Sequence, residues 1–196
     1  MSDQSIIGRD FISILPGNYH VTDKAECLST LLGSCVAACL YDPVNQVIGM
    51  NHFLLSGTIN RYNVPLLLTE SARYGIHAME MLINAMLRLG AERENLRCKA
   101  FGGATMFGPH DPAAPGVGQL NCLFIRDFLR KEKIPLVAQD LGGTHGRVIY
   151  FMPEDYSVMM RPIKKSRLRD IAHREQRLLQ RTRQHQKPAN RDEIWD

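Results

Sequence analysis

No run of about 18 apolar residues occurs in the 196-residue chain, which excludes an ordinary membrane-spanning helix. The opening MSDQSIIGRDF lacks the basic start and apolar middle of a secretory signal, so a cytoplasmic protein is expected. An even set of cysteines is also missing. The five present (Cys27, Cys35, Cys39, Cys98, Cys122) read as free, mostly buried thiols rather than a disulfide framework. A net basic charge is absent from the body of the protein: residues 164–196 hold ten Lys or Arg against five Asp or Glu, so the tail carries +5 and residues 1–163 sum to −1. A near-neutral body argues against nucleic-acid binding.

What is there is enough apolar residue, 44%, for one domain with a sizeable core. Two apolar runs, Cys35–Tyr41 and Gln46–Leu55, flank Asp42-Pro43-Val44-Asn45 and predict a β-hairpin around a type I turn. Pairing Asp42 with Asn45 and counting back sets Cys35 opposite His52. Directly opposed residues share a face with Cβ atoms roughly 4.5–5.5 Å apart, where a thiol and an imidazole can share a proton. A one-residue bulge would send them to opposite faces. Gly33-Ser34 precedes the thiol, and a positive φ at Gly33 would aim backbone N–H groups at an oxyanion.

The bland alternative for Cys35 is a buried strand residue. A zinc site built from Cys35, Cys39 and His52 requires a helix, because residues four apart on a strand are about 13 Å apart at roughly 3.3 Å each. No metal is expected. A third group to orient the imidazole would come from Ser29 or Thr30, since Asp42 lies at the far end of the hairpin. His77, His110 and His145 read as surface residues.

Around the hairpin, Phe11–Leu15 reads as an edge strand ended by Pro16-Gly17-Asn18, and Leu28–Leu32 as a second strand. Ser56–Pro65 and Gly108–Gly116 read as loops. Thr69–Leu89 is a helix capped by Thr69, with Ile76, Met79, Ile83 and Met86 on one stripe widened by Leu82 and Leu89, and stopped by Gly90. Val117–Lys131 is a second, with Val117, Leu120, Phe124 and Phe128 inward. Leu96–Phe101 and Ile134–Asp140 are strands, each followed by a Gly-Gly pair. That echo is either a duplicated helix–strand–turn unit or a coincidence. The turns at Gly102-Gly103, with Thr105, and at Gly142-Gly143 could cradle anions or a substrate backbone. Arg147–Met152 and Ser157–Ile163 form a late hairpin, and the tail from Lys164 reads as a frayed helix or disorder.

LLGSCVAACLYDP followed by GMNHFLL resembles the chemoreceptor glutamine deamidases, the CheD family. The match continues through ARYGIHAMEMLINAMLRLGA, KAFGGATMF and Asp140-Leu141-Gly142-Gly143, covering about residues 8–163. The resemblance implies an α/β (α+β) layered sandwich of mixed β-sheets with two flanking helices, similar to the catalytic domain of cytotoxic necrotizing factor toxins. The division it suggests is a deamidase domain at 1–163 and a basic tail at 164–196. It implies a protein-glutamine glutaminase acting on methyl-accepting chemotaxis receptors without a cofactor, with Cys35 as nucleophile, His52 as base and Thr30, or else Ser29, as third residue. A CheC-type phosphatase is an implied partner, and a non-catalytic adaptor is the competing reading. No membrane insertion is implied.

Overall fold

A computed structural model of the chain describes residues 9–55, 70–105 and 116–163, together with Arg177 and Gln180. The two expected loops apart from Gly116, the Thr69 cap, His110 and nearly all of the basic tail lie outside the described residues. Among the described residues nine strands and two α-helices follow in order: β1 (Phe11–Ser13), β2 (Tyr19–Thr22), β3 (Cys27–Leu32), β4 (Val36–Asp42), β5 (Val47–Asn51), α1 (Glu70–Arg88), β6 (Arg97–Gly102), α2 (Val117–Lys131), β7 (Leu136–Leu141), β8 (Arg147–Phe151) and β9 (Val158–Pro162).

The strands form two mixed sheets, ordered β1-β3-β8-β9 and β2-β5-β4-β6-β7. Period-two alternation sorts the side chains into two cores. Leu28 and Leu32 of β3, Ile149 and Phe151 of β8, and Ala37, Cys39, Ile48 and Met50 of the central hairpin pack between the sheets. Val36, Ala38 and Leu40 point the other way and meet α1 and α2 through Met79, Leu82, Ile83, Met86, Phe124 and Phe128. The result is a three-layer α+β sandwich of sheet, sheet and helices. No described helix is long and apolar enough to cross a membrane.

Both helices match the periodicity that predicts them. Gly90, at φ 102°, ends the α1 segment, and the Ala91 N–H returns to the Met86 carbonyl at 3.0 Å. Leu89 does not widen the α1 stripe. It falls past the last helical turn and is 39% exposed. β2 was not legible: four residues with mixed burial carry no alternation to read.

The hairpin register differs from the expectation by two residues. Asp42 pairs with Val47, not Asn45. A bare two-residue type I loop splays strands against their natural twist, so a four-residue loop forms instead, with Gln46 at φ 56°. The Asp42 carboxylate holds the loop by accepting from the N–H groups of Val44 and Asn45 at 2.8 and 3.0 Å. A shift of two keeps every side chain on its face. Extended through the Val36–Phe53 bridge, the observed register sets Leu54 opposite Cys35 and Ala37 opposite His52. The thiol and the imidazole therefore share the inter-sheet face as diagonal neighbours rather than as a directly opposed pair.

Candidate active site

The chain passes from the first sheet to the second twice at one end of the sandwich, and the candidate residues collect there. One crossing is the turn after Ile14, and the other is the Gly33–Cys35 bend between β3 and β4. His52 follows β5 and is tied to the first crossing through its backbone. It donates N–H to the Asn18 carbonyl at 3.0 Å and accepts from the Gly17 N–H at 2.8 Å.

The His52 side chain is 1% exposed and Cys35 is fully buried. Thr30, in β3, faces inward with Leu28 and Leu32. Its Oγ1 lies 2.8 Å from His52 Nδ1 and 2.6 Å from the Ile14 carbonyl oxygen. A hydroxyl has one hydrogen and a carbonyl can only accept, so the Thr30 proton goes to Ile14 and His52 Nδ1–H donates to Oγ1. This fixes the tautomer and leaves the Nε2 lone pair bare. Nε2 is the one buried side-chain polar atom without a hydrogen-bond partner among the described residues. Buried groups are almost always paired, so an unspent lone pair on the face it shares with a thiol marks a place for a transferred proton. Ser29 sits on the other face of β3 and pairs with Tyr150 through its backbone.

Burial pushes the His52 pKa down to about 4, so at neutral pH the ring is uncharged, as a general base must be. The same burial makes stability depend on pH. An unfolded chain takes up this proton below its ordinary 6.5, whereas the folded chain refuses it until about 4. Stability from this group is therefore complete above the first value and lost as pH falls towards the second. Between about pH 7 and pH 5 the wild type is expected to lose about 2 kcal/mol more than His52→Gln, read from paired urea unfolding curves. Equal losses would show that the ring is not held neutral.

The Gly33–Cys35 bend is clamped from the end of β6. Its positive φ does not fall at Gly33 but at Gly102 and Gly103, with φ 111° and 71°. Gly103 N–H donates to the Cys35 carbonyl at 2.7 Å and Ala104 N–H to the Gly33 carbonyl at 2.8 Å. The second Gly-Gly pair lies alongside: Gly142 N–H donates to Gly102 O, and Thr105 N–H to Gly143 O, both at 2.8 Å. The sequence echo is thus two turns bonded side by side at the ends of the parallel strands β6 and β7. Gly103, Thr105, Cys122, Arg126 and Gly142-Gly143 line a cavity of about 510 Å³ there.

Three residues at the site had no signal in the sequence. Arg147, 6% exposed, grips the second turn through the carbonyls of Asp140 and Gly142 and the Asp140 carboxylate. Asn51 and Asn121, both buried, bond to the strands that carry His52 and Cys35. Asn121 acts through partners 66 and 87 residues away and Asn51 through one 13 residues away, which local pattern cannot show, while Arg147 reaches back five to seven residues across its own turn. His77 and His145 are exposed, as expected, and all five cysteines are buried and none forms a disulfide.

A layered α+β sandwich with a buried thiol, imidazole and hydroxyl grouped where its sheets exchange the chain has the parts that cysteine-dependent amide hydrolases use. Residues 67–162 match the family described as CheD chemotactic sensory transduction. A probable chemoreceptor glutamine deamidase CheD of Geobacter sulfurreducens is 51% identical over 179 residues, 89% of this chain and 88% of the relative. A second, from Shewanella oneidensis, is 48% identical over 161 residues, 81% and 79% of the two chains. Among solved structures, Neisseria meningitidis protein NMB0706 overlaps at TM-score 0.42 and 12% identity over 72% of this chain and 66% of that one, too slight a likeness to carry an argument. The chain belongs to the CheD family.

Proposed function

We propose that this protein is a chemoreceptor glutamine deamidase, hydrolysing glutamine side chains of methyl-accepting chemotaxis receptors to glutamate with release of ammonia. The observation that carries the chemistry is the unpartnered His52 Nε2, aimed by Thr30 into the face it shares with Cys35. The substrate comes from the printed names of the relatives.

His52 Nε2 takes the Cys35 proton as sulfur attacks the carboxamide carbon. Backbone N–H groups of the Gly33–Ser34–Cys35 bend hold the oxyanion. The tetrahedral adduct collapses, the C–N bond breaks, and His52 gives the proton to the departing ammonia, leaving a thioester. Water then adds, with His52 as base. The C–S bond breaks, and glutamate leaves with the thiol restored. Gly102, Gly103 and Thr105 are assigned to substrate binding, Gly103 and Thr105 at the rim of the cavity beside the bend. Residues 1–163 form the deamidase unit and 164–196 an appendage. A cytoplasmic location and a CheC-type phosphatase as second partner are supported by the family resemblance.

Mass measurement of a receptor cytoplasmic fragment after incubation with the protein tests the reading. Deamidation adds about one dalton per site to an intact chain. Unchanged mass, or shorter fragments, would rule it out.

A further inference from the structure

The β4–β5 ladder is broken on both sides of the Val36–Phe53 bridge, and in each place a side-chain amide stands where a backbone rung would be. The bridge is regular, with Val36 N–H to Phe53 O at 3.0 Å and Phe53 N–H to Val36 O at 2.9 Å. Two residues outward along the same register, the next hydrogen-bonded pair would join Ser34 to Leu55. Instead Asn121, from α2, sits between them: Nδ2 donates to the Ser34 carbonyl at 2.8 Å, and Oδ1 accepts the Leu55 N–H at 2.8 Å. Two residues inward, the pair would be Ala38 and Asn51. There the Ala38 N–H goes to Asn51 Oδ1 at 3.0 Å, while Asn51 Nδ2 is anchored on α1 by the Ala78 carbonyl at 3.2 Å. Asn121 is fully buried and Asn51 is 1% exposed.

Cys35 lies between the Ser34 rung and the bridge, and His52 between the bridge and the Asn51 rung. We propose that Asn121 is a positioning residue that holds the Cys35 and His52 strands apart at a fixed spacing by bridging Ser34 and Leu55 with its amide, while on the other side Asn51 takes the Ala38 N–H and ties it to α1. The physical case is one of competing geometries. Two apolar strands joined by a short loop gain by zipping into a regular ladder, and a regular ladder sets its own diagonal distances. An amide that donates to one strand and accepts from the other can enter a rung while pairing both the Ser34 carbonyl and the Leu55 N–H. Its helix then dictates the spacing, so the thiol and imidazole are held by α1 and α2 rather than by the hairpin alone.

The inference rests on the proposed roles of Cys35 and His52, and its test reads both receptor deamidation and the chemistry of Cys35 directly. Two variants are compared with wild type. Asn121→Leu removes both bonds. Asn121→Asp keeps the volume and the acceptor for Leu55 but sets a carboxylate against the Ser34 carbonyl. Ammonia release from the receptor fragment, normalised to the folded fraction seen in urea unfolding, is expected to fall about 100-fold in kcat with KM within about twofold. The pH profile of Cys35 alkylation by iodoacetamide, followed by mass of the labelled peptide, is expected to shift in both variants towards that of His52→Gln. A residue that only stabilises the fold would move the urea midpoint and leave both readouts of the folded protein unchanged, which would overturn the proposal. If wild type releases no ammonia, the deamidase reading fails by itself. The alkylation profile then still decides whether Asn121 sets the coupling of thiol to imidazole: wild-type profiles in both variants reject it.

Discussion

Alanine at position 35 is expected to lower ammonia release by about four orders of magnitude or more while leaving receptor binding in place. Burial does not single this thiol out. Cys39 and Cys98 are also fully buried, and burial pushes both of their thiols up, away from the reactive thiolate. Cys35 differs in its surroundings: it shares the inter-sheet face with an imidazole whose Nδ1–H is committed to Thr30 and whose Nε2 is not committed to anything. Cys39→Ala and Cys98→Ala, when folded, should keep rates within about tenfold of wild type, since they touch packing and not proton transfer. The loss in Cys35→Ala should be in turnover, because truncating one small buried side chain leaves the Gly-Gly turns that flank the cavity intact. Ammonia release by Cys35→Ala above about one part in a hundred of wild type would mean that another group attacks the amide.

The sequence was informative wherever a property depends on period. α1 and α2 follow from the 3.6-residue stripe, and β3, β6 and β8 from short apolar runs. The shared face of Cys35 and His52 depends only on parity, so it survived an error of two in the register. Their diagonal placement depends on the length of the loop, which in turn depends on Gln46 adopting a left-handed backbone that nothing in its chemistry announces. Thr30 against Ser29 was decidable in principle: Thr30 alternates with Leu28 and Leu32, which must face the core, and Ser29 does not. The missing information is of one kind. Asn51 and Asn121 work through hydrogen bonds to backbone groups brought near by the fold, and no spacing within the chain encodes those meetings.

A pair of glycine substitutions separates backbone conformation from close packing at Cys35. Gly102 and Gly142 both have positive φ, 111° and 89°, and they neighbour each other through the Gly142 N–H to Gly102 carbonyl bond. At Gly142 a Cβ would meet nothing within 4 Å. Gly142→Ala should therefore cost only the backbone penalty, about 1–2 kcal/mol. At Gly102 a Cβ would overlap the Cys35 carbonyl oxygen, and the Cys35 carbonyl carbon and Val36 Cα would each lie 3.2 Å away. These are main-chain atoms of a buried strand with no rotamer to yield, so relief has to move Cys35 itself. Gly102→Ala is expected to cost about 3–5 kcal/mol, a large part of the 5–15 kcal/mol typical of a domain. In whatever fraction still folds, ammonia release per molecule should fall at least tenfold, because the displaced residue is the proposed nucleophile. Urea unfolding of the two variants beside wild type reads the first effect, and ammonia release normalised to folded protein reads the second. Equal destabilisation at the two positions would mean that the Gly-Gly turn does not bear on the Cys35 backbone, and the clamp on the bend would then have to come from Asn121 and the Ala104 N–H alone.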